Sequence, residues 1–217
     1  MDAKTPKIPE HELVYRKLRE MILCGELEPG QAVTIQGLVA DLGAGMTPVR
    51  EAIRRLTAEG ALEFQGNRRV SVPVLTRAQV DEMAFARLAL EPQLAAWGAE
   101  KATADDIDAL TAIDTQLNRA IERGDVREYM WSNHQFHARL YRLSGAKVMI
   151  ALSDMLWLRM GPSLRVICGR YGTSNLPDMH EGALDALRRG DAEAVSAAIH
   201  ADIAQGIEQI RQSMDEG

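Results

Sequence analysis

Residues 47–60 read TPVREAIRRLTAEG, and this stretch decides the fold of the N-terminal third of the chain. Val49, Ile53 and Leu56 recur at three- and four-residue spacing, so they share one face of a helix. Thr47 reads as the N-cap and Pro48 as the first helical residue, where its missing N–H costs nothing. Gly60 reads as the stop. Arg50 and Arg54, four apart, lie together on the side away from the apolar stripe, with Arg55 beside them.

Working upstream, Thr34 predicts a cap for a short helix through Leu38 and Leu42 that Gly43 closes. Before it, Leu13, Val14, Leu18, Met21 and Ile22 define a helix from His11 that ends near Gly25 and the Glu28-Pro29-Gly30 turn. Downstream, the period changes to that of strands. Ala61–Phe64, a polar tip Gln65-Gly66-Asn67-Arg68, and Arg69–Val72 predict a short hairpin. Three helices and a hairpin predict a winged helix-turn-helix over residues 11–74, preceded by a flexible arm, 1–10. After a linker at 75–77, an all-α antiparallel bundle of about six helices is expected over 78–214. Its helices are predicted at 77–100, 103–123, 125–144, 146–168, 177–189 and 191–213, with a loop at 170–177. The fold class is therefore mainly α.

Composition supports this division. Aromatic residues make up only 5% of the chain while apolar residues reach 46%, a balance that favours helix bundles over sheets. The net charge of −6 is unevenly placed. Residues 1–75 hold ten Lys and Arg against ten Asp and Glu, so the deficit belongs to the rest of the chain. A neutral N-terminal part with clustered arginines suits a polyanionic partner, and the acidic remainder does not. The first residues form no apolar signal segment and no run of 18 apolar residues occurs, so a cytoplasmic protein without a membrane partner is expected. Cys24 and Cys168 match no redox or zinc spacing and read as free thiols.

An exposed face carrying Arg50 and Arg54 fits a DNA major groove, because a guanidinium fork can hold guanine O6 and N7 together. Arg68 and Arg69 at the hairpin tip would follow the phosphate backbone or enter a minor groove. The competing reading is a solvated helix face whose arginines pair with Glu51, Glu59 and Glu63.

Here the sequence resembles a known family. YRKLREMILCGELEPGQAV (15–33) and LVADLGAGMTPVREAIRRLTAEGALEFQGNRRVSV (38–72) look like the GntR family of bacterial regulators, over residues 11–74. The resemblance implies that Thr47, Arg50 and Gly66 contact DNA. Two positions depart from its pattern: Met46 stands where Arg commonly precedes Thr-Pro, and Gln36 where Arg is common early in the second helix. The expected reading surface therefore comprises Gln36, Met46, Thr47, Arg50, Arg54, Gly66, Asn67 and Arg68.

In the C-terminal part, Asn133 and His137 are four apart on one helical face, a spacing that lets two side chains grip one ion. ARLALEPQLAAWGA (86–99), NHQFHARLY (133–141) and LDALRRGDAEAV (184–195) resemble the FCD-type sensor domain of the FadR-like branch of the same family. That resemblance implies a divalent-metal site at Asn133, His137, His180 and Asp202. Asn and Asp there replace the usual Asp and His. Two imidazoles and a carboxylate suit Zn²⁺, with Ni²⁺ or Mn²⁺ as alternatives. Helical periodicity does not choose between Asp202 and His200 as the last ligand. His11 and His134 read as surface residues. The resemblance also implies a small organic-acid effector, for which Arg87, Arg159 and Arg165 are candidate carboxylate partners, each otherwise a surface arginine.

The expectation is a homodimeric transcription regulator, a repressor on a near-palindromic duplex operator, released by a small carboxylate. Two alternatives remain at this point: a regulator for which the metal ion is itself the signal, and a metal-dependent hydrolytic enzyme.

Overall fold

The computed structural model describes residues 8–66, 69–171 and 179–215, with side chains described for all of these except 167–171. The chain opens with α1 (Glu10–Leu23), β1 (Ala32–Val33), α2 (Ile35–Leu42), α3 (Met46–Ala58), β2 (Glu63–Gln65) and β3 (Arg69–Ser71). Local chemistry accounts for the boundaries. Thr34 Oγ1 accepts from Gly37 N–H, and Gly43 closes α2 in the left-handed conformation at φ 60°.

Two details differ from the sequence expectation. Gly45, not Thr47, is the N-cap of α3, so Pro48 falls third in the helix. The change is tolerated because the first four N–H groups of a helix have no internal partner to lose. The hairpin also gains a strand: β1 pairs antiparallel with β3 through Ala32↔Ser71 and Val33↔Val70, on the side opposite β2. Two residues are too short to show a strand period. Val14, Leu18, Ile22, Leu38, Val49, Ile53, Leu56, Leu62 and Val70 close one apolar core between helices and sheet.

Beyond the wing come α4 (Arg77–Ala99), α5 (Ala104–Arg123), α6 (Val126–Leu143), α7 (Lys147–Tyr171), α8 (Met179–Arg188) and α9 (Ala192–Asp215). Thr76 with Gln79 and Thr103 with Asp106 form reciprocal capping boxes at the starts of α4 and α5. α4 lies along α9, α5 along α6, and α8 along α9. A second core fills the bundle, with Leu94, Leu110, Phe136, Leu140, Met160 and Ile199 fully buried. Each such side chain contributes about 2 kcal/mol of hydrophobic burial.

α7 belongs to both cores. Met160 and Leu156 face the bundle, whereas Trp157 and Leu158 are buried in the N-terminal core. One turn further, a Cβ on Gly161 would lie 2.7 Å from the Leu23 carbonyl oxygen, so only glycine lets α7 meet the end of α1. Ion pairs flank this contact: Arg127 reaches Glu26 at 2.6 Å and Glu20 at 2.8 Å.

Candidate functional site

The N-terminal unit carries a reading head. Packing of Val49, Ala52, Ile53 and Leu56 inward turns Met46, Thr47, Arg50 and Arg54 outward on α3. Arg50 and Arg54 are exposed and make no hydrogen bond or ion pair among the described residues. Arg55 behaves differently. Its guanidinium stacks 3.5 Å from the Tyr15 ring centroid and pairs with Glu12 at 3.0 Å and Glu59 at 3.2 Å. The solvated-face alternative thus describes Arg55 and not its neighbours. Gln36 is exposed on α2, and Gly66 is exposed at the end of β2. Asn67 and Arg68 lie outside the described residues.

The bundle holds a histidine cluster. α6 supplies His137, α8 supplies His180 and α9 supplies Asp202, and one ligand atom of each lies within 4.8 Å of the others. His137 Nε2 is 3.0 Å from Asp202 Oδ2 and 3.3 Å from His180 Nε2. Both histidines are buried, while the Asp202 side chain keeps 25% of its exposure. Phe136 stacks on His180 with centroids 4.0 Å apart. Asp202 occupies the position that periodicity left open, and His200 is exposed. Asn133 sits one turn before His137, partly buried, with no side-chain hydrogen bond among the described residues.

Hydrogen bonding fixes the imidazole tautomers. The Tyr141 hydroxyl donates to Glu91 Oε2 at 2.9 Å, so its oxygen accepts from His137 Nδ1, also at 2.9 Å. His180 Nδ1 donates to Asp114 Oδ1 at 3.2 Å. Each neutral imidazole therefore carries its proton on Nδ1 and turns an Nε2 lone pair toward the other and toward the Asp202 carboxylate. Burial lowers the pKa of His137 and outweighs the contact with the Asp202 carboxylate, which favours the charged ring. Burial would raise the Asp202 pKa, but the contact with His137 and nearby positive charge, that of Arg87 included, shift it downward on balance.

Two imidazole nitrogens and a carboxylate oxygen converging within 4.8 Å of one another make a ligand set that a cation would satisfy. Tetrahedral Zn²⁺ with ligands at about 2.0–2.1 Å separates neighbouring donors by about 3.3 Å. The spacings of 3.0 and 3.3 Å match that requirement. The carboxylates behind the rings, Asp114 directly and Glu91 through Tyr141, are the outer-shell partners that orient metal-binding imidazoles. The residues present fit a divalent metal.

The arginines expected to grip an effector do not gather round this cluster. Arg87 is buried, not on the surface: it holds Glu91 through Nε at 2.8 Å and Nη2 at 3.1 Å and stacks 4.3 Å from the Trp157 ring. Burial opposes its charge, and Glu91 more than restores it, raising the guanidinium pKa. Arg159 lies against Gly60, just past α3. Arg165 lines a cleft of about 770 Å³ between the two units, with Cys24, Val74, Leu75, Val80 and Ile210. Cys24 is a buried free thiol, its pKa pushed to about 12 by burial.

His134 is also not a surface residue. It is buried with its ring 5.4 Å from that of Trp157, because α6 is covered by α1 and α7 as well as by α4 and α5. Burial, with the charges of Arg19 and Arg142, lowers its pKa to about 3. Sequence reasoning missed Glu91, Asp114, Tyr141 and Trp157. The Arg87–Glu91 pair was legible as an i, i+4 spacing within ARLALE, whereas nothing local marks Asp114.

Comparison with known proteins bears on both units. Residues 11–72 match the model of bacterial regulatory proteins of the gntR family, and residues 82–205 match the FCD domain. The HTH-type transcriptional regulator McbR of Escherichia coli K12 is 30% identical over 183 residues, 83% of each chain. The HTH-type transcriptional repressor RspR of the same strain is 25% identical over 214 residues, 95% of this chain and 92% of that one. The solved structure of E. coli McbR/YncC superposes with a TM-score of 0.89 at 27% identity, covering 96% of this chain and all (100%) of that one. Reading head, helical sensor and relatives agree: the chain is a transcription regulator and not an enzyme, a member of the bacterial gntR family whose C-terminal part is an FCD domain.

Proposed function

We propose that the protein is a homodimeric repressor that reads a near-palindromic operator through α3 and responds to a small carboxylate at a metal centre formed by His137, His180 and Asp202, with Asn133 as a further ligand. The observation that carries the metal reading is the convergence of His137, His180 and Asp202, from three different helices, with one ligand atom of each within 4.8 Å of the others. A divalent ion held there would offer open coordination positions to a carboxylate. Access lies on the Asp202 side, whose side chain keeps 25% of its exposure while both histidines are buried. The histidines hold the ion and Asp202 offsets part of its charge. Asp114 and Tyr141 keep the rings in the ligating tautomer.

In the reading head, Arg50, Arg54 and Thr47 would meet base edges and Gly66, Asn67 and Arg68 the backbone or minor groove. The repressor sign follows the behaviour named for RspR. Dimerisation is supported by an uncovered apolar face across α4 and α7, where Phe85 and Val148 are 78% and 77% exposed beside a depression lined by Ala86, Leu90, Leu152 and Met155. An operator read by two such α3 helices would carry half-sites about one helical turn of DNA apart, roughly 34 Å.

The test combines zinc uptake with a thermal-shift screen of small carboxylates, on the wild type and His137→Ala. Stoichiometric zinc in the wild type, its loss in His137→Ala, and a carboxylate that raises Tm only with metal present are expected. Wild-type protein that takes up no zinc, nickel or manganese ends the metal reading. A carboxylate shift surviving in His137→Ala but lost in Arg165→Gln would move the effector to the interdomain cleft. Phe85→Glu is expected to give a monomer by light scattering, and a dimer unchanged by it would place the interface elsewhere.

A further inference from the structure

We propose that Trp157 is the positioning residue that couples occupancy of the His137–His180–Asp202 centre to the DNA-reading unit. The proposal rests on the metal reading above and adds the route by which the sensor and the head would communicate.

The first half of the route is a shared acceptor. Trp157 Nε1 donates to Glu91 Oε2 at 3.1 Å, the same oxygen that accepts from Tyr141 at 2.9 Å. Tyr141 in turn accepts from His137 Nδ1 at 2.9 Å. The indole ring also touches the imidazole, with centroids 5.0 Å apart, and Arg87 stacks on the indole, 4.3 Å from its centroid, while clamping Glu91. An ion on His137 Nε2 fixes that imidazole as the Nδ1–H tautomer. Holding that ring in place would fix the near end of the contacts that run through Tyr141 and Glu91 to the indole.

The second half is packing. Although it belongs to a sensor helix, the Trp157 ring is 4% exposed in the apolar core of the N-terminal unit, beside Leu158 at 1%. The next turn brings Arg159 against Gly60, the residue after the cap of α3, and Gly161 against the Leu23 carbonyl at the end of α1. Pro162 removes the helical hydrogen bond to the Leu158 carbonyl, leaving α7 a break in its ladder at this contact. Residues 157–161 thus form one helical turn that reports on His137 at one end and on both helices of the reading head at the other. A closely packed turn of this kind shifts between discrete arrangements rather than deforming smoothly.

The experiment uses the full-length chain, Zn²⁺ as the probe and a duplex selected by the wild type from a random-sequence pool. DNA affinity is measured with zinc and after chelation. In the wild type the two affinities are expected to differ about fivefold or more, the lower end of common allosteric couplings. Trp157→Phe keeps an aromatic ring but loses the N–H donor. It is expected to retain zinc uptake and DNA binding while the ratio of the two affinities falls toward one. A second measurement needs no variant at Trp157: with Trp97→Phe and Trp131→Phe, the remaining tryptophan should change its emission on zinc addition. An unchanged ratio in Trp157→Phe, a wild type whose DNA affinity ignores zinc, or silent Trp157 emission in protein that has bound zinc overturns the coupling and leaves the metal centre standing. Wild-type protein that takes up no zinc removes both.

Discussion

Arg54 and Arg87 are the same residue type put to opposite use. Arg54 stands exposed on α3 with no partner among the described residues, while Arg87 is buried with its fork closed on Glu91. On the proposed function, α3 keeps its donors free for acceptors that DNA would supply, and solvent satisfies them until then. The sensor centre cannot do this. Its polar groups are out of water, so each must be oriented by another before a ligand arrives. Truncating a head arginine should therefore change binding and leave stability alone, whereas truncating a sensor residue should change stability first.

The sharpest way to break that contrast is Glu91→Ala. It strips the buried Arg87 of its counter-charge and leaves the Tyr141 and Trp157 donors without their acceptor. Urea denaturation should show a loss of about 3–5 kcal/mol. A loss below about 1 kcal/mol would mean that water reaches the site and that the network is not the support described here.

Next in size is Arg50→Ala, which should weaken specific duplex binding by about 1–3 kcal/mol with an unchanged Tm. Arg55→Ala sharpens the comparison within one helix. Its guanidinium is committed to Tyr15, Glu12 and Glu59, so it should lower stability and barely alter sequence preference. A gel-shift titration in which Arg55→Ala loses more specificity than Arg50→Ala would reverse the assignment of the reading face.

His134 gives the smallest test. Its folded pKa is depressed to about 3, below an unfolded value of about 6.5, so at intermediate pH only the unfolded chain binds the proton. The stability this imidazole permits is complete above about pH 6.5 and falls as pH drops, by about 1.4 kcal/mol per unit until the folded pKa is reached. Denaturation of metal-free protein between pH 7 and pH 5 should show a shallower acid loss in His134→Phe. Equal slopes in the two proteins would show that this histidine is hydrated in the folded state.

Much of this architecture could be read before any coordinates. Helix limits such as those at Thr34, Gly43, Thr103 and Gly124 followed from the sequence, because a cap acts on its own neighbours within a few residues. The α3 stripe and its exposed arginines followed from the helical period. The misreadings were non-local. β1 exists only because β3 lies beside it, and His134 is buried only because α1 and α7 close over α6. The Arg87 side chain could be placed on a helix but not inside the protein.

What the chain alone determined was its sequence of helices and hairpin and the polarity of each helix face; the candidates His137, His180 and Asp202 came from the family resemblance, with His200 left open beside Asp202. Element order and face polarity depend on periodicity, capping and residue type, all of which act over short separations. The choice of Asp202 over His200, the orientation of both imidazoles by Asp114 and Tyr141, and the passage of α7 from one core into the other were decided by tertiary structure. Each needs side chains from several helices far apart in the sequence to meet, and no local pattern states which helices will be neighbours.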